Sequence, residues 1–464
     1  MKRLRHTLLA LACALSFSFA HSQVTITVDE IPSYYTPLLD TLYIAGTFNN
    51  WNPGDPTHIL QPNGNGGYSA TITAPVNSNV EYKFTRGDWN RVETQADGSF
   101  LPNRSFTYTG SASINDSIRN WDDFSGPHTA VGNTHILDLD FPLPQYNTIR
   151  RIWVYLPQDY YTSAQTYPVI YMHDGQNLFD VAYTAFGTEW EVDESMEDIQ
   201  NNQGVPGIVV GVDNGGLSRI NEYTPYANPQ YGGGGGEAYI DFIVNTLKPY
   251  IDANFRSRPQ REYTAIAGSS LGGLISFYAA IERPDIFSKA GIFSPSFWYN
   301  DSSYTHVAMQ GHSFPMRIYM LAGDQESATM VPNMYRMRDT LLANGFSQSE
   351  LFVVNHSDGQ HSEWYWAREY PACYNWLFQN TVLEADVPQV AKWALRSGPE
   401  GRFVVRGPVS GEIALRISNL KGQVVYENAV GNGQVIQLPH LPAGMLVAHF
   451  GQDADSIFQK ILKR

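Results

Sequence analysis

The chain has 464 residues, of which 43% are hydrophobic, 13% aromatic and only 16% charged. That balance excludes a disordered chain, and the length corresponds to about three domains at roughly 150 residues each. A formal net charge of −15 disfavours phosphate backbones, so no nucleic-acid partner is expected.

Residues 1–20 are basic and then apolar. Lys2, Arg3 and Arg5 precede a run from Leu8 to Ala20, and Ser18 and Ala20 are the small residues a signal peptidase reads. This predicts a secretory signal peptide, too short to cross a membrane as a span. No other segment has eighteen consecutive apolar residues, so no membrane span is expected. Cleavage after Ala20 leaves 27 basic and 45 acidic residues, a balance of −18, and removes Cys13. The remaining Cys373 has no partner for an internal disulfide and reads as a buried apolar side chain. Such an exported protein must rely on its hydrophobic cores.

Residues 21–123 carry short alternating stretches, 24–28, 41–45, 67–72 and 80–84, separated by Gly, Asn and Pro. They predict a β-sandwich. Residues 124–134 read as a linker. Residues 135–383 alternate strand-like and helix-like segments. Strands are expected at 168–172, 207–212, 263–267, 317–321 and 351–355, and helices at 237–253 and 271–280. This is an α/β class pattern with a mostly parallel, doubly wound sheet. The Gly232–Gly236 run is a loop before a helix and is expected to form a mobile pocket rim. Residues 390–464 return to β texture and predict a small all-β domain.

The stretch Gly268-Ser269-Ser270-Leu271-Gly272 is a G-x-S-x-G motif between a strand and a helix of small residues. That context is a nucleophile elbow, which lifts Ser270 Oγ above the sheet. Gly268 and Gly272 avoid a collision across the turn. A serine hydroxyl needs a base, and His356 and His361 both follow the last strand. His361 lies on a loop that can reach over the sheet; His356 abuts the strand and reads as a cap. His173 reads as structural. The acid belongs between Ser and His, where Asp324 and Glu326 are both candidates. The oxyanion N–H groups are expected from Leu271 and from the loop within 172–180. No His, Asp or Glu cluster has metal-ligand spacing, so neither metal nor cofactor is expected.

Residues 148–380 resemble the esterase D-like esterases of the α/β-hydrolase fold. The strings 150–157, 172–180, 211–215 and 222–225, the elbow, and strings 294–298 and 359–366 carry the likeness in order. The resemblance implies Ser270 as nucleophile, Glu326 as acid and His361 as base. It also implies Gln176 and Leu271 as oxyanion donors, with Asp213, Tyr223 and Trp298 lining the substrate pocket.

Residues 41–107 resemble starch- and glycogen-binding modules of the family 20 and 48 type, through the strings 44–53, 81–84, 87–89 and 102–104. The resemblance implies that Trp51 and Trp89 stack on sugar rings and Lys83 donates to hydroxyls, giving α-glucan binding. The C-terminal segment resembles a sorting domain of the type IX secretion system, through 415–425, 441–444 and 458–464. That implies the type IX machinery as a partner and release or attachment at the cell surface. The expected function is a secreted serine ester hydrolase that removes acetyl- or feruloyl-type groups from a carbohydrate ester. The alternatives are a non-catalytic carbohydrate-binding surface protein and an acyltransferase to sugar hydroxyls.

Overall fold

Alternation decides the central sheet. In a computed structural model, which describes residues 23–32, 36–63, 67–110, 112–124 and 128–378 and the C-terminal segments 394–397, 402–406, 412–419, 423–431, 434–438, 444–451 and 457–463, eight strands form one sheet. They are β1 (Asn133–Leu143), β2 (Thr148–Leu156), β3 (Val169–His173), β4 (Ile208–Val212), β5 (Thr264–Ser269), β6 (Lys289–Phe293), β7 (Arg317–Gly323) and β8 (Leu351–His356). The spatial order is β1-β2-β4-β3-β5-β6-β7-β8. β1 to β2 and β2 to β4 are antiparallel, and every other pairing is parallel. This is a mixed sheet of α/β-hydrolase type. The antiparallel edge pair and strand β6 are elements that the sequence reading did not mark. The expected signal peptide, Cys13 and residues 379–393 lie outside the described residues.

Side chains two apart on a strand share a face. Ile152, Val154 and Leu156 of β2 face one core with Val169 and Tyr171 of β3 and Ile208, Val210 and Val212 of β4. Trp153, Tyr155, Ile170, Met172 and Val209 face the other. Helices cover both faces, as parallel strands buried on two sides require. The helix Leu271–Glu282 (α2) lies in the first core. The helices Val192–Asn201 (α1) and Glu363–Phe378 (α3) lie in the second. Cys373 is buried there, and burial pushes its thiol well above the usual range.

The N-terminal β-region has three sheets among the described residues, the smallest being the antiparallel pair Glu93–Thr94 and Asn120–Trp121. Val24–Glu30 pairs with Tyr68–Ile72 and Ala112–Ser117, while Tyr43–Gly46 and Arg104–Thr107 flank Asn79–Thr85. Ile26, Val28, Ile44, Tyr82 and Phe84 belong to the same continuous core as the second face of the central sheet. Leu38 and Leu39 amides donate to the Ile136 and Leu137 carbonyls of β1 at 2.9 and 3.1 Å. Arg86, its side chain wholly buried, pairs with Asp40 and Asp123 and lies over Trp121 and Phe124.

The segment expected to be a linker is tied down where it is described. His128 Nδ1 meets Asp180 Oδ2 at 2.7 Å, Thr129 Oγ1 donates to Glu189, and the Val131 amide donates to Asp193 Oδ2 at 2.7 Å. Its Gly and polar residues suggested a tether, but acidic groups of the hydrolase region hold it. The expected mobile rim is also pinned. Tyr299 Oη donates to the Gly232 carbonyl, the Gly234 amide to Thr224 Oγ1, and Tyr146 Oη to the Gly235 carbonyl. Gly233 sits at φ 81, where a Cβ would fall 2.1 Å from Thr224 Oγ1.

The chain divides into two compact units, 1–381 and 382–464. The second holds a three-stranded sheet (Ala394–Ser397, Arg402–Arg406, Val435–Gln437) and a four-stranded one (Val424–Gly431, Glu412–Asn419, Gly444–Phe450, Ile457–Lys463). Phe403, Val405, Leu415, Ile417, Ala448 and Phe450 form its core. Among the described residues, no helix is long and apolar enough to cross a membrane.

Candidate active site

β5 ends in a turn that forces Ser270 to φ 60 and ψ −120, a conformation that a non-glycine residue holds only under constraint. The constraint is visible. The Ser270 amide donates to the Phe293 carbonyl at 2.9 Å, and its carbonyl accepts from Leu274 and Ser296 at 3.0 Å each. A Cβ at Gly268 would lie 3.0 Å from the Gly272 backbone, so the expected clash across the turn applies there. At Gly272 the nearest group is instead Asp174 Oδ2 at 3.3 Å, and the tighter position is Gly273, 2.9 Å from the Phe293 carbonyl oxygen.

β7 and β8 lead into the loops that carry Glu326 and His361. Glu326 Oε2 accepts from His361 Nδ1 at 2.6 Å. A carboxylate only accepts, so Nδ1 carries the proton and Nε2 presents a lone pair. The other oxygen, Oε1, accepts from the Gly323 amide and from Ser294 Oγ. Asp324 is exposed and holds Asn355 Nδ2 at 2.8 Å. His356 Nδ1 lies 3.0 Å from Tyr365 Oη and 3.6 Å from Glu369, on the far side of the strand end. The geometry therefore joins Glu326 to His361 and leaves Asp324 and His356 out. Ser270 Oγ lies 3.3 Å from Ser296 Oγ.

Leu271 is the first residue of α2, so its amide has no acceptor within the helix. Gln176 lies in a single 3-10 turn (Gly175–Asn177) directly after β3. The Gly272–Asp174 approach brings these two segments together. His173 is buried, meets Tyr239 Oη at 3.0 Å, and is lowered by burial to about 3, so it stays neutral. Asp174 is clamped by Arg219 through two hydrogen bonds at 2.7 and 2.8 Å.

A family model described as "Putative esterase" matches residues 144–376, half of the chain, and spans Ser270, Glu326 and His361. The chain belongs to this esterase family.

Curated relatives match the esterase over stretches of different length. It is 26% identical over 243 residues to the uncharacterized protein YbbA of Bacillus subtilis, covering 49% of this chain and 92% of that protein. It is 39% identical over 89 residues to an alpha-amylase of Niallia circulans, covering 19% of this chain and 7% of that enzyme. It is 31% identical over 161 residues to a siderophore triacetylfusarinine C esterase of Aspergillus fumigatus, covering 32% of this chain and 51% of that enzyme. The chain thus spans half of the siderophore esterase and a small part of the amylase.

Two residues expected to line the pocket of the esterase do not. Asp213 is buried, and its carboxylate is used by Arg151 Nε at 2.7 Å and Trp153 Nε1 at 2.8 Å. Tyr223 has no exposed surface; it accepts from the Asp174 amide at 3.1 Å and packs on His173 and Tyr239. Both support the loops behind the site, as does the buried Arg150–Glu222 pair at 2.5 Å, which joins two strings of the family likeness. Trp298 is half exposed and meets Tyr231 edge to face at 5.9 Å. Ser294, Ser296 and Trp366 fall within strings of the family likeness, and no spacing rule marks them as neighbours of Glu326 and Ser270. Among the described residues, no group of three or more His, Cys, Asp or Glu side chains is arranged to hold a metal.

In the N-terminal region Trp51, Lys83 and Trp89 line one cleft of ≈ 400 Å³ with Phe100, Leu101 and Asn103. The Trp51 and Trp89 rings lie 6.2 Å apart at 44°. Lys83 is buried, donates to the Leu101 carbonyl and lies under the Phe100 ring at 5.0 Å. Burial pulls its ammonium below the usual range.

Proposed function

We propose that this esterase is a secreted serine carboxylic ester hydrolase acting on an acyl group carried by a carbohydrate. The observation that carries the chemistry is the 2.6 Å Glu326–His361 hydrogen bond, tied through Ser294 on Glu326 to the segment whose Ser296 meets the strained Ser270. Ser270 Oγ turns from Ser296 to His361 Nε2 and attacks the acyl carbon, passing its proton to the imidazole. The Leu271 and Gln176 amides receive the oxyanion. His361 returns the proton to the leaving alcohol, and water then hydrolyses the acyl-enzyme with His361 again as base. Glu326 balances the imidazolium in both halves.

The carbohydrate half of the reading is supported by the cleft lined by Trp51 and Trp89 and by the likeness to an alpha-amylase over 89 residues. Flat aromatic faces suit the C–H faces of pyranose rings. We further propose that residues 1–20 direct export and that the C-terminal unit engages the type IX machinery. A second reading, a siderophore ester as substrate, is favoured by the likeness to the Aspergillus fumigatus enzyme.

The test is hydrolysis of p-nitrophenyl acetate, methyl ferulate and triacetylfusarinine C by the wild type and Ser270→Ala. Wild-type turnover with a dead variant is expected. Equal rates would overturn the serine mechanism, and turnover of triacetylfusarinine C alone would favour the second reading. Retention on starch, lost in Trp51→Ala, tests the cleft; no retention of either protein would sink glucan binding.

A further inference from the structure

Glu326 has three hydrogen-bond donors, and only one of them is His361. The other oxygen, Oε1, accepts from the Gly323 amide at 2.6 Å and from Ser294 Oγ at 2.7 Å. Ser294 Oγ in turn accepts from Trp366 Nε1 at 2.9 Å. An indole N–H can only donate. Ser294 therefore receives Trp366 on a lone pair, and its single hydroxyl proton is committed to Glu326. A serine hydroxyl ordinarily rotates; this one has one setting. Trp366 also touches the other end of the chain. Its ring meets the His361 imidazole edge to face, 5.1 Å between centroids at 87°. The four side chains close a circuit, from Trp366 through Ser294 and Glu326 to His361 and back by ring contact.

The circuit is built into the core. Ser294 is fully buried, and its amide donates to the Leu321 carbonyl at 2.8 Å. Its φ of 44 is a left-handed conformation that serine rarely holds. Trp366 is buried against Trp190, which packs on Phe293. His361 is the exposed member, with 38% of its side chain open to solvent. Packing alone does not hold the imidazole, so its orientation depends on where Glu326 Oε2 points.

We propose that Ser294 and Trp366 are positioning residues for ester hydrolysis. Trp366 orients the Ser294 hydroxyl, Ser294 fixes the carboxylate rotamer of Glu326, and Glu326 thereby aims His361 Nε2. Neither residue touches the reacting atoms. The proposal rests on the role given to Glu326 and His361 above.

The experiment compares wild type, Ser294→Ala, Trp366→Phe, the double variant and Ser270→Ala. Trp366→Phe removes the donor and leaves a ring against His361. For each, kcat and KM are measured on p-nitrophenyl acetate, and proton NMR follows the downfield His361 Nδ1–H resonance. The expected result is a fall in kcat of roughly tenfold in each single variant, KM unchanged, and a displaced resonance. The double variant falls no further than Ser294→Ala, because Trp366 acts through Ser294. Wild-type kcat with an unmoved resonance in Ser294→Ala overturns the proposal, as does a double variant whose losses multiply. If Ser294→Ala does not fold, Trp366→Phe reads the same link by the same two measures. Full activity in Ser270→Ala would instead overturn the esterase mechanism and this proposal with it. A dead Ser270→Ala beside an undisturbed Ser294→Ala would overturn this proposal alone.

Discussion

Glu326 and His361 form a hydrogen bond across two unequal environments: the carboxylate side chain is 1% exposed and the imidazole 38%. The buried partner fixes the tautomer of the exposed one. Glu326→Gln keeps the shape but can present an N–H to Nδ1, which favours the wrong tautomer. The expected outcome is a loss of about 10²- to 10⁴-fold in kcat with KM little changed. Steady-state kinetics on p-nitrophenyl acetate checks it.

Asp324→Asn should leave kcat/KM at the wild-type value, because its carboxylate is exposed and serves only Asn355. His356→Gln should also spare turnover. It loses the contacts to Tyr365 and Glu369 and costs about 1 kcal/mol of stability. Parallel kinetics and urea unfolding separate the two effects.

The Ser270 backbone stores strain, because φ 60 with ψ −120 suits glycine and not serine. Ser270→Gly and Ser270→Ala should both be inactive. The glycine variant should be the more stable by about 1 kcal/mol, the relief of strain exceeding the entropy cost of glycine. Denaturant midpoints of the two variants decide this.

Glu189 is buried, accepts from Thr129 Oγ1, and has a second oxygen without a partner. Burial raises its carboxyl to about 7, from an unperturbed value of 4.5. The folded state therefore binds the proton more tightly than the unfolded chain. The stabilisation is complete below about 4.5 and is lost as pH rises through about 7. The melting temperature should be lower at pH 8 than at pH 5, and Glu189→Gln should flatten that difference. Scans at both pH values test it; an unchanged slope in the variant refutes the assignment.

Much of this was readable before any coordinates. Small residues flanking Ser270 and an apolar run before it describe a strand–turn–helix, so the elbow was legible locally. The chain order Ser270, Glu326, His361 is legible too, because a doubly wound sheet brings successive strand ends to one edge. The choice between Asp324 and Glu326 was not fixed by spacing, since both follow β7; family likeness favoured Glu326, and the turn after Gly323 sends Glu326 inward and Asp324 out. Asp213 and Tyr223 looked like pocket residues because they are polar and sit in family strings. Their partners, Arg151, Trp153 and the Asp174 amide, come from other strands, and that makes them supports. Ser294, just past β6, meets Glu326, and Trp366 of α3 meets Ser294, a relay that no local pattern announces.

The N-terminal β-region and the hydrolase sheet share one hydrophobic core, and the connecting segment is fastened from His128 onward by its own hydrogen bonds. A module on a loose tether samples a volume around its enzyme, and the length of the tether sets how often the two meet on one ligand. Here there is no such length to adjust. A glycan held in the Trp51–Trp89 cleft, as proposed above, would be presented at a fixed address relative to Ser270. Selection can change which part of a long ligand reaches the serine only by remodelling the seam between the two regions.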